Sequence, residues 1–403
     1  MATIISTNPD VVSIFSKMEE IIIKEGGFIH PDIQIVENNG NLIVESSLNK
    51  DNTDIIFSVP ESCLFDTEDI TIVLSDNNLI ITACKENISD LHKKICALML
   101  NLFNQTDKVP YHKKTFPLPL LNNPTAFNLV AKKCPGICTK HKIDAQELSR
   151  EQLIVKTFLG CRQLNMKIAN RHNAKVLMPF IDSLNHNLKC TGIDVVHDSD
   201  NSSSGLQIKH SKPLPDSDEC FINYGPMDPM VRYFHFGYID TMPYYLQSIP
   251  VVLDFSDLGK IIINPFNATA SDSTVEFPNE LQNIKFLLPN VIKRTQNLLI
   301  WRLFIPIDSK HGALRRILEA LILNLAGKKI KRKKLEKLIK NAETKIINEN
   351  KAYCEAISTL TKSTKLAEVP ETMRVDFAKL ANLQLMLLRK YQQKANKLPL
   401  CYL

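Results

Sequence analysis

Apolar residues in the first 85 positions come in short runs. "IQIV", "NLIVE", "DIIFSV", "ITIVL" and "LIIT" are β-rich stretches separated by Asn, Asp and Gly turn signals, and they predict a strand-dominated start. The period then changes. In "SDLHKKICALMLNLF", Leu91, Ile95, Leu98, Met99 and Leu102 recur at helical spacing. "SREQ" announces another helix through a capping box, Ser149 with Gln152, and Ile154, Phe158, Cys161, Leu164 and Ile168 continue one face. Pro-rich irregular chain, "VPYHKKTFPLPLLNNPTAF", lies between them.

Strand texture returns in "VLMPFID", "LQIKH", "ECFINY", "PVVLDF" and "KIIIN". From about residue 275 the pattern reads as helical to its end. Leu335, Leu338, Ile339, Ala342 and Ile346 make one stripe. Phe377, Leu380, Leu387, Leu388 and Tyr391 make a second, begun just after Pro370. The order β, α, β, α predicts an α+β chain. A β-rich domain in two halves, 1–85 and 166–265, is interrupted by a helical insertion, 86–165, and followed by an all-α C-terminal domain, 266–403.

Composition narrows the class. The chain has 403 residues, 44% hydrophobic and 23% charged, which is the make-up of a folded multi-domain protein. Twelve glycines argue against an architecture of repeated Gly-rich loops. A net charge of +6 is by itself weak evidence for a nucleic-acid partner. The start, "MATIISTNPDVVSIFSKMEE", lacks the pattern of a secretory signal, and no window reaches the length of apolar chain a membrane helix needs. The ten scattered cysteines read as reduced thiols, so a cytoplasmic protein is expected. "CPGICTKH" groups Cys134, Cys138 and His141, but without a second ligand pair it reads as a Pro-Gly turn rather than a zinc site.

Two polar stretches carry the candidate chemistry. "FIDSLNHN" places Asp182, Asn185 and His186 directly behind the apolar "VLMPFI". Loop ends of buried strands hold functional groups because the scaffold positions them, although capping of a turn is the plainer account. "CFINYGPMDP" sets Tyr224 at a strand end before Gly225, and Tyr233, Phe234, Phe236 and Tyr238 follow. Those aromatics fit core packing, or a lining around a substrate cation.

"DSLNH" and "INYGP", with 38 residues from His186 to Tyr224, together resemble the SET-domain protein methyltransferases. The branch resembled is that of the Rubisco large-subunit lysine methyltransferase and the actin-histidine methyltransferase. "YHKKTFPLP" is similar to a stretch of that branch's insertion, and the β, α, β, α order is the same. The resemblance implies a SET domain split by a helical insertion, a helical substrate-binding C-terminal domain, and S-adenosylmethionine as cofactor, with no metal. It implies that Asn185 and His186 bind the cofactor, that Arg171 lies near its carboxylate, that Asp182 holds the loop on the substrate side, and that Tyr224 is the active-site tyrosine. Phe234, Phe236 and Tyr238 become candidates for the substrate channel.

The family's first cofactor motif has two glycines. The best match here, Asn39, Gly40, Asn41 and Leu42, keeps one. Asn173, two residues after Arg171, stands where lysine-modifying members tend to carry an aromatic residue and the histidine enzyme an asparagine; Ile181 departs from the histidine enzyme. A protein lysine, the commoner substrate in the family resembled, is the expected substrate, with a protein histidine, or a non-catalytic protein-binding module, as alternatives. The expected partner is a protein docked on the C-terminal helices, with the chain a monomer. Lys328, Lys329, Lys331, Arg332, Lys333, Lys334, Lys337 and Lys340 form a cationic run that could track phosphates or serve as a nuclear address, and that also fits the solvated face of a helix.

Overall fold

The computed structural model describes residues 2–49, 51–106, 108–112, 118–133, 135–168, 171–196, 205–212, 214, 217–225, 227–241, 243–264, 277, 279, 281, 287–294, 296–307, 312–327 and 330–401. The chain divides into two compact units, residues 1–114 with 147–226, and 115–146 with 227–403. These boundaries differ from those expected at 86, 166 and 266. Residues 115–146 and 227–265 belong with the C-terminal unit.

The first unit holds the five predicted N-terminal runs as strands. Ile33–Asn38 is the middle strand of a sheet with Thr3–Ile5 and Asn41–Ser46. Ile55–Pro60 lies between Phe28–Ile29 and Gly205–Lys209, with Asp194–Val196 at the far edge. Ile70–Ser75 pairs with Asn78–Cys84. Gly205 is needed where it stands, since a Cβ there would come within 2.3 Å of the Val59 carbonyl oxygen.

One element was hidden by composition. Pro9–Lys24 is a helix, although its run of Val and Ile has strand character. The start signals decide it: the Asn8 side chain accepts from the Asp10 N–H at 3.0 Å, and Pro9 begins the helix. Val11, Phe15, Met18 and Ile22 then fall on one buried stripe. The two expected helices form as Asp90–Gln105 and Arg150–Gly160, the latter with both bonds of the Ser149–Gln152 capping box.

The second unit is not all-α. Val251–Asp254, Lys260–Ile263, Asn297–Trp301 and Asn290–Arg294 form a four-stranded sheet in that order, and Tyr245–Gln247 pairs with Phe304–Pro306. Residues 290–306 therefore correct the expectation of helix from residue 275 onward. Their short β-branched runs bury against the other strands, and that tertiary pairing sets the local state. Helices Ala313–Ala326, Arg332–Thr361 and Glu371–Ala395 complete the unit. Both predicted stripes face inward, with Leu335, Ile339, Ala342, Ile346, Phe377, Leu380 and Leu388 buried and Leu338 partly so.

"CPGIC" is not a Pro-Gly turn. Helix Pro135–Glu147 starts there, with Cys138 buried, while Cys134 lies outside the described residues. Lys133, just before it, forms an ion pair with Asp228 at 3.1 Å, the two side chains being 1% and 0% exposed. Asp228 also accepts from the Gln247 N–H at 2.9 Å and from the Gln384 amide at 3.3 Å, and it caps helix Pro229–Phe236. This clasp ties residues 115–146 into the unit of 227–403, which explains the boundary.

Candidate functional site

The strand Arg171–Leu177 ends in an abrupt turn at Phe180, which takes φ 63°. A bulky side chain in the left-handed region costs about 1–2 kcal/mol. Packing holds it there: the Phe180 ring meets Phe15 at 5.3 Å and Phe57 at 5.8 Å between centroids. The reversal delivers a single 3₁₀ turn, Ile181–Ser183, and then the two-residue strand Asn185–His186.

That strand pairs in parallel with Phe221–Ile222, matching Asn185 to Phe221 and His186 to Ile222. The two dipeptides separated in sequence are thereby joined. The Tyr224 N–H donates to Nδ1 of His186 at 2.9 Å, and the two rings lie 5.1 Å apart between centroids. The bond fixes Nδ1 as the acceptor, so a neutral His186 carries its proton on Nε2. The Tyr224 hydroxyl donates to the Leu184 carbonyl at 2.5 Å, which directs an oxygen lone pair away from that carbonyl. Gly225 follows at φ 93°, its N–H donating to the Asn223 side chain at 2.9 Å. That backbone angle explains the glycine after the tyrosine.

Asn185 donates from its side-chain amide to Glu219 at 2.7 Å. Burial, more than the neighbouring Glu45, pushes the Glu219 carboxyl up, while the bond from Asn185 pulls it down, and the net direction is upward. Beneath this layer, Asp182 pairs with Arg162 at 2.8 Å. The Arg162 guanidinium lies over Phe158 at 4.7 Å and Phe103 at 5.2 Å. Burial works against its charge, but Asp182, Cys161 and Tyr224 outweigh burial and hold it above the ordinary arginine range. Lys108 belongs to the same cluster. Burial first, then the nearby Arg162, pushes its ammonium down to about 8.

Asp182, Asn185, His186 and Tyr224 are thus brought into one constellation. Sequence reasoning missed Glu219, Arg162, Lys108 and the Leu184 carbonyl; Leu184 lies inside "DSLNH", but a backbone carbonyl leaves no side-chain signal. The only local signal was that Glu219 immediately precedes "CFINY".

The other expected site residues lie in different surroundings. Asn39 and Gly40, at φ 50° and 81°, form the two-residue turn between paired strands, and Asn41 faces Asn38 across the hairpin. Asn-Gly is the preferred pair for such a turn. The Gly40 N–H donates to Glu37 at 2.6 Å, and Leu42 is buried in the core. Asn39, Gly40 and Asn41 thus build the hairpin, and Leu42 joins the core. Arg171 forms ion pairs with Asp66 at 2.7 Å and Asp69 at 2.9 Å, which hold its guanidinium well above the ordinary range. Both acids are buried. Asn173 is exposed on its strand.

In the second unit, Phe234 is buried and packs edge-on against Tyr233 and Phe377 at 6.3 Å each, so core packing accounts for it. Phe236 and Tyr238 are partly exposed and stack at 6.2 Å. Arg232 donates to the Tyr238 hydroxyl at 3.1 Å, and burial pushes that phenol up to about 12. No cluster of His, Cys, Asp and Glu suited to a metal is present among the described residues, and no described helix is long and apolar enough to cross a membrane.

No protein-family model matches the chain, and no curated protein matches it. Among solved structures it is similar to the SET domain of LSMT bound to lysine and AdoHcy. The identity is 11%, 96% of this chain and 91% of that one are covered, and the TM-score is 0.37. It is also similar to Rubisco LSMT bound to sinefungin and monomethyllysine, with 11% identity, coverage of 95% and 92%, and a TM-score of 0.39.

Proposed function

We propose that the chain is a protein methyltransferase that uses S-adenosylmethionine and acts on a lysine side-chain nitrogen. The observation that carries this reading is the parallel pairing of Asn185–His186 with Phe221–Ile222, which seats Tyr224 on His186. Two short motifs that resemble the SET family only in combination meet in one place.

The donor set fits a cationic cofactor carrying an amino acid end. Asn185 and Glu219 offer an amide and a carboxylate to such an end, and Tyr224 offers a phenol oxygen to a sulfonium. Arg171 is paired with Asp66 and Asp69, and the Gly40 N–H with Glu37, so the proposed cofactor contacts are centred on Asn185, Glu219 and Tyr224. S-adenosylmethionine supplies an already activated methyl group, so the protein needs neither a strong nucleophile nor a metal-bound water.

The residues then have limited, definable tasks. Tyr224, its proton committed to Leu184, accepts from the substrate nitrogen or from a polarised C–H and aligns the attack. His186 holds the Tyr224 backbone in place. A substrate ammonium must shed a proton before it can react, and the field of Arg162 and Lys108 favours the neutral amine. A histidine substrate is the second reading; it rests on the residue type of Asn173 alone, since an amide can orient a neutral imidazole.

The reading is tested by incubating the protein with methyl-labelled cofactor and a whole-cell extract, then mapping the labelled residue. Label on lysine supports the proposal, and label on histidine selects the second reading. If S-adenosylmethionine neither labels any protein nor raises the melting temperature, the chain is a binding module and the enzyme reading falls.

A further inference from the structure

The helix Arg332–Thr361 opens with the densest run of cations in the chain. Lys331, Arg332, Lys333, Lys334, Lys337 and Lys340 are all exposed, above the buried Leu335 and Ile339; Lys328 and Lys329 lie outside the described residues. Arg332 pairs with Glu336 at 3.3 Å. Lys333, Lys334, Lys337 and Lys340 have no ion-pair partner among the described residues. The placement works against the helix. Its first turn has no acidic residue and its N-cap, Lys331, makes no side-chain cap bond, so the cations face the positive end of the helix dipole. Neither core packing nor helix capping explains them.

We infer that this face docks an acidic segment of a partner protein, with carboxylates opposite Lys333, Lys337 and Lys340. Lys333 and Lys337 stand about 6 Å apart along the axis, close to the roughly 7 Å between alternate residues of an extended chain. An acid at every second position therefore meets Lys333 and Lys337 in register, while Lys340, about 4.5 Å further along the same face, reaches the next acid only through its long side chain. A nucleic acid fits less well. No aromatic residue stands between Ile330 and Lys351 to stack on a base, and Arg332, the one arginine there, is already paired. The inference does not depend on the methyl-transfer reading.

The test uses the full chain, a fluorescent dodecapeptide of alternating Glu and Ser, and a single-stranded oligonucleotide of equal charge. The variant is Lys333→Gln/Lys337→Gln/Lys340→Gln. The control, Lys17→Gln/Lys94→Gln/Lys390→Gln, removes the same charge from other exposed positions. At low salt the variant should bind the peptide about tenfold more weakly, the sum of three modest exposed pairs. The control should change by less than about twofold, and the variant should melt no lower than wild type, because Lys333→Gln relieves the first turn and Lys337 and Lys340 are exposed without an ion-pair partner among the described residues. Equal weakening in both triple variants would reduce the effect to net charge and overturn the inference. Tighter binding of the oligonucleotide than of the peptide, lost in the variant, would overturn it in favour of a nucleic-acid surface.

Discussion

His186 accepts a hydrogen bond from the backbone of Tyr224, 38 residues later, at 2.9 Å. Through that bond the strand Asn185–His186 sets where the tyrosine begins its turn. A second bond, from the phenol to Leu184, sets where it ends. The tyrosine is therefore held at both its main chain and its hydroxyl by one short segment.

Replacing Tyr224 with Phe removes the phenol and leaves the ring. Methyl transfer to the mapped substrate should fall by roughly 100-fold or more, the usual cost of losing one positioned polar group at a reacting centre. Folding stability should fall by only about 1 kcal/mol, for one hydrogen bond. Radiolabel transfer and urea unfolding measure the two, and wild-type transfer in the variant would remove Tyr224 from the mechanism.

Asp182 and Arg162 support the site from beneath. The Asp182→Asn change leaves Arg162 without its carboxylate, over the rings of Phe158 and Phe103. Full burial would make this cost about 3–5 kcal/mol, and partial solvent access reduces the expectation to about 2 kcal/mol. Urea midpoints of the two proteins check it.

Lys108 gives a pH dependence of unusual sign. Its folded-state value is pushed down to about 8 from an ordinary 10.5, so between those values the unfolded chain binds more protons than the folded one. Stability contributed by this group therefore rises with pH across that window and is at its lowest below pH 8. Lys108→Met should be more stable than wild type at pH 7, and the gap should close by about pH 10. A gap that does not change with pH would show that packing, not charge, separates the two. Using the difference between the proteins cancels the buried thiols, such as Cys96 and Cys354, which burial pushes up to about 12.

Lys133→Met tests the clasp of the second unit. It strands the buried Asp228 carboxylate, and about 3–5 kcal/mol of stability should be lost. Calorimetry should show the loss in one unfolding transition of the full chain. An unchanged melting temperature would mean that the backbone N–H groups of Met230 and Gln247 satisfy Asp228 without the lysine.

The sequence by itself determined the elements whose signals are local. Strands 33–38, 41–46, 55–60, 70–75 and 78–84 follow from β-rich runs and turn residues, and the Asn39-Gly40 turn from its own backbone preference. The helix of residues 150–160 follows from its capping box. The motif pair also marks Asn185, His186 and Tyr224 in the sequence alone. Tertiary structure decided what local pattern cannot encode. The Val- and Ile-rich segment 290–306 became strand through pairing with other strands, whereas helix 9–24 carried a local start signal in Asn8 and Pro9. Arg171 found Asp66 and Asp69, Glu219 found Asn185, and Arg162 and Lys108 joined the site from elements distant in sequence. Partners of charged and polar groups depend on which surfaces meet, and chain order carries no direct record of that.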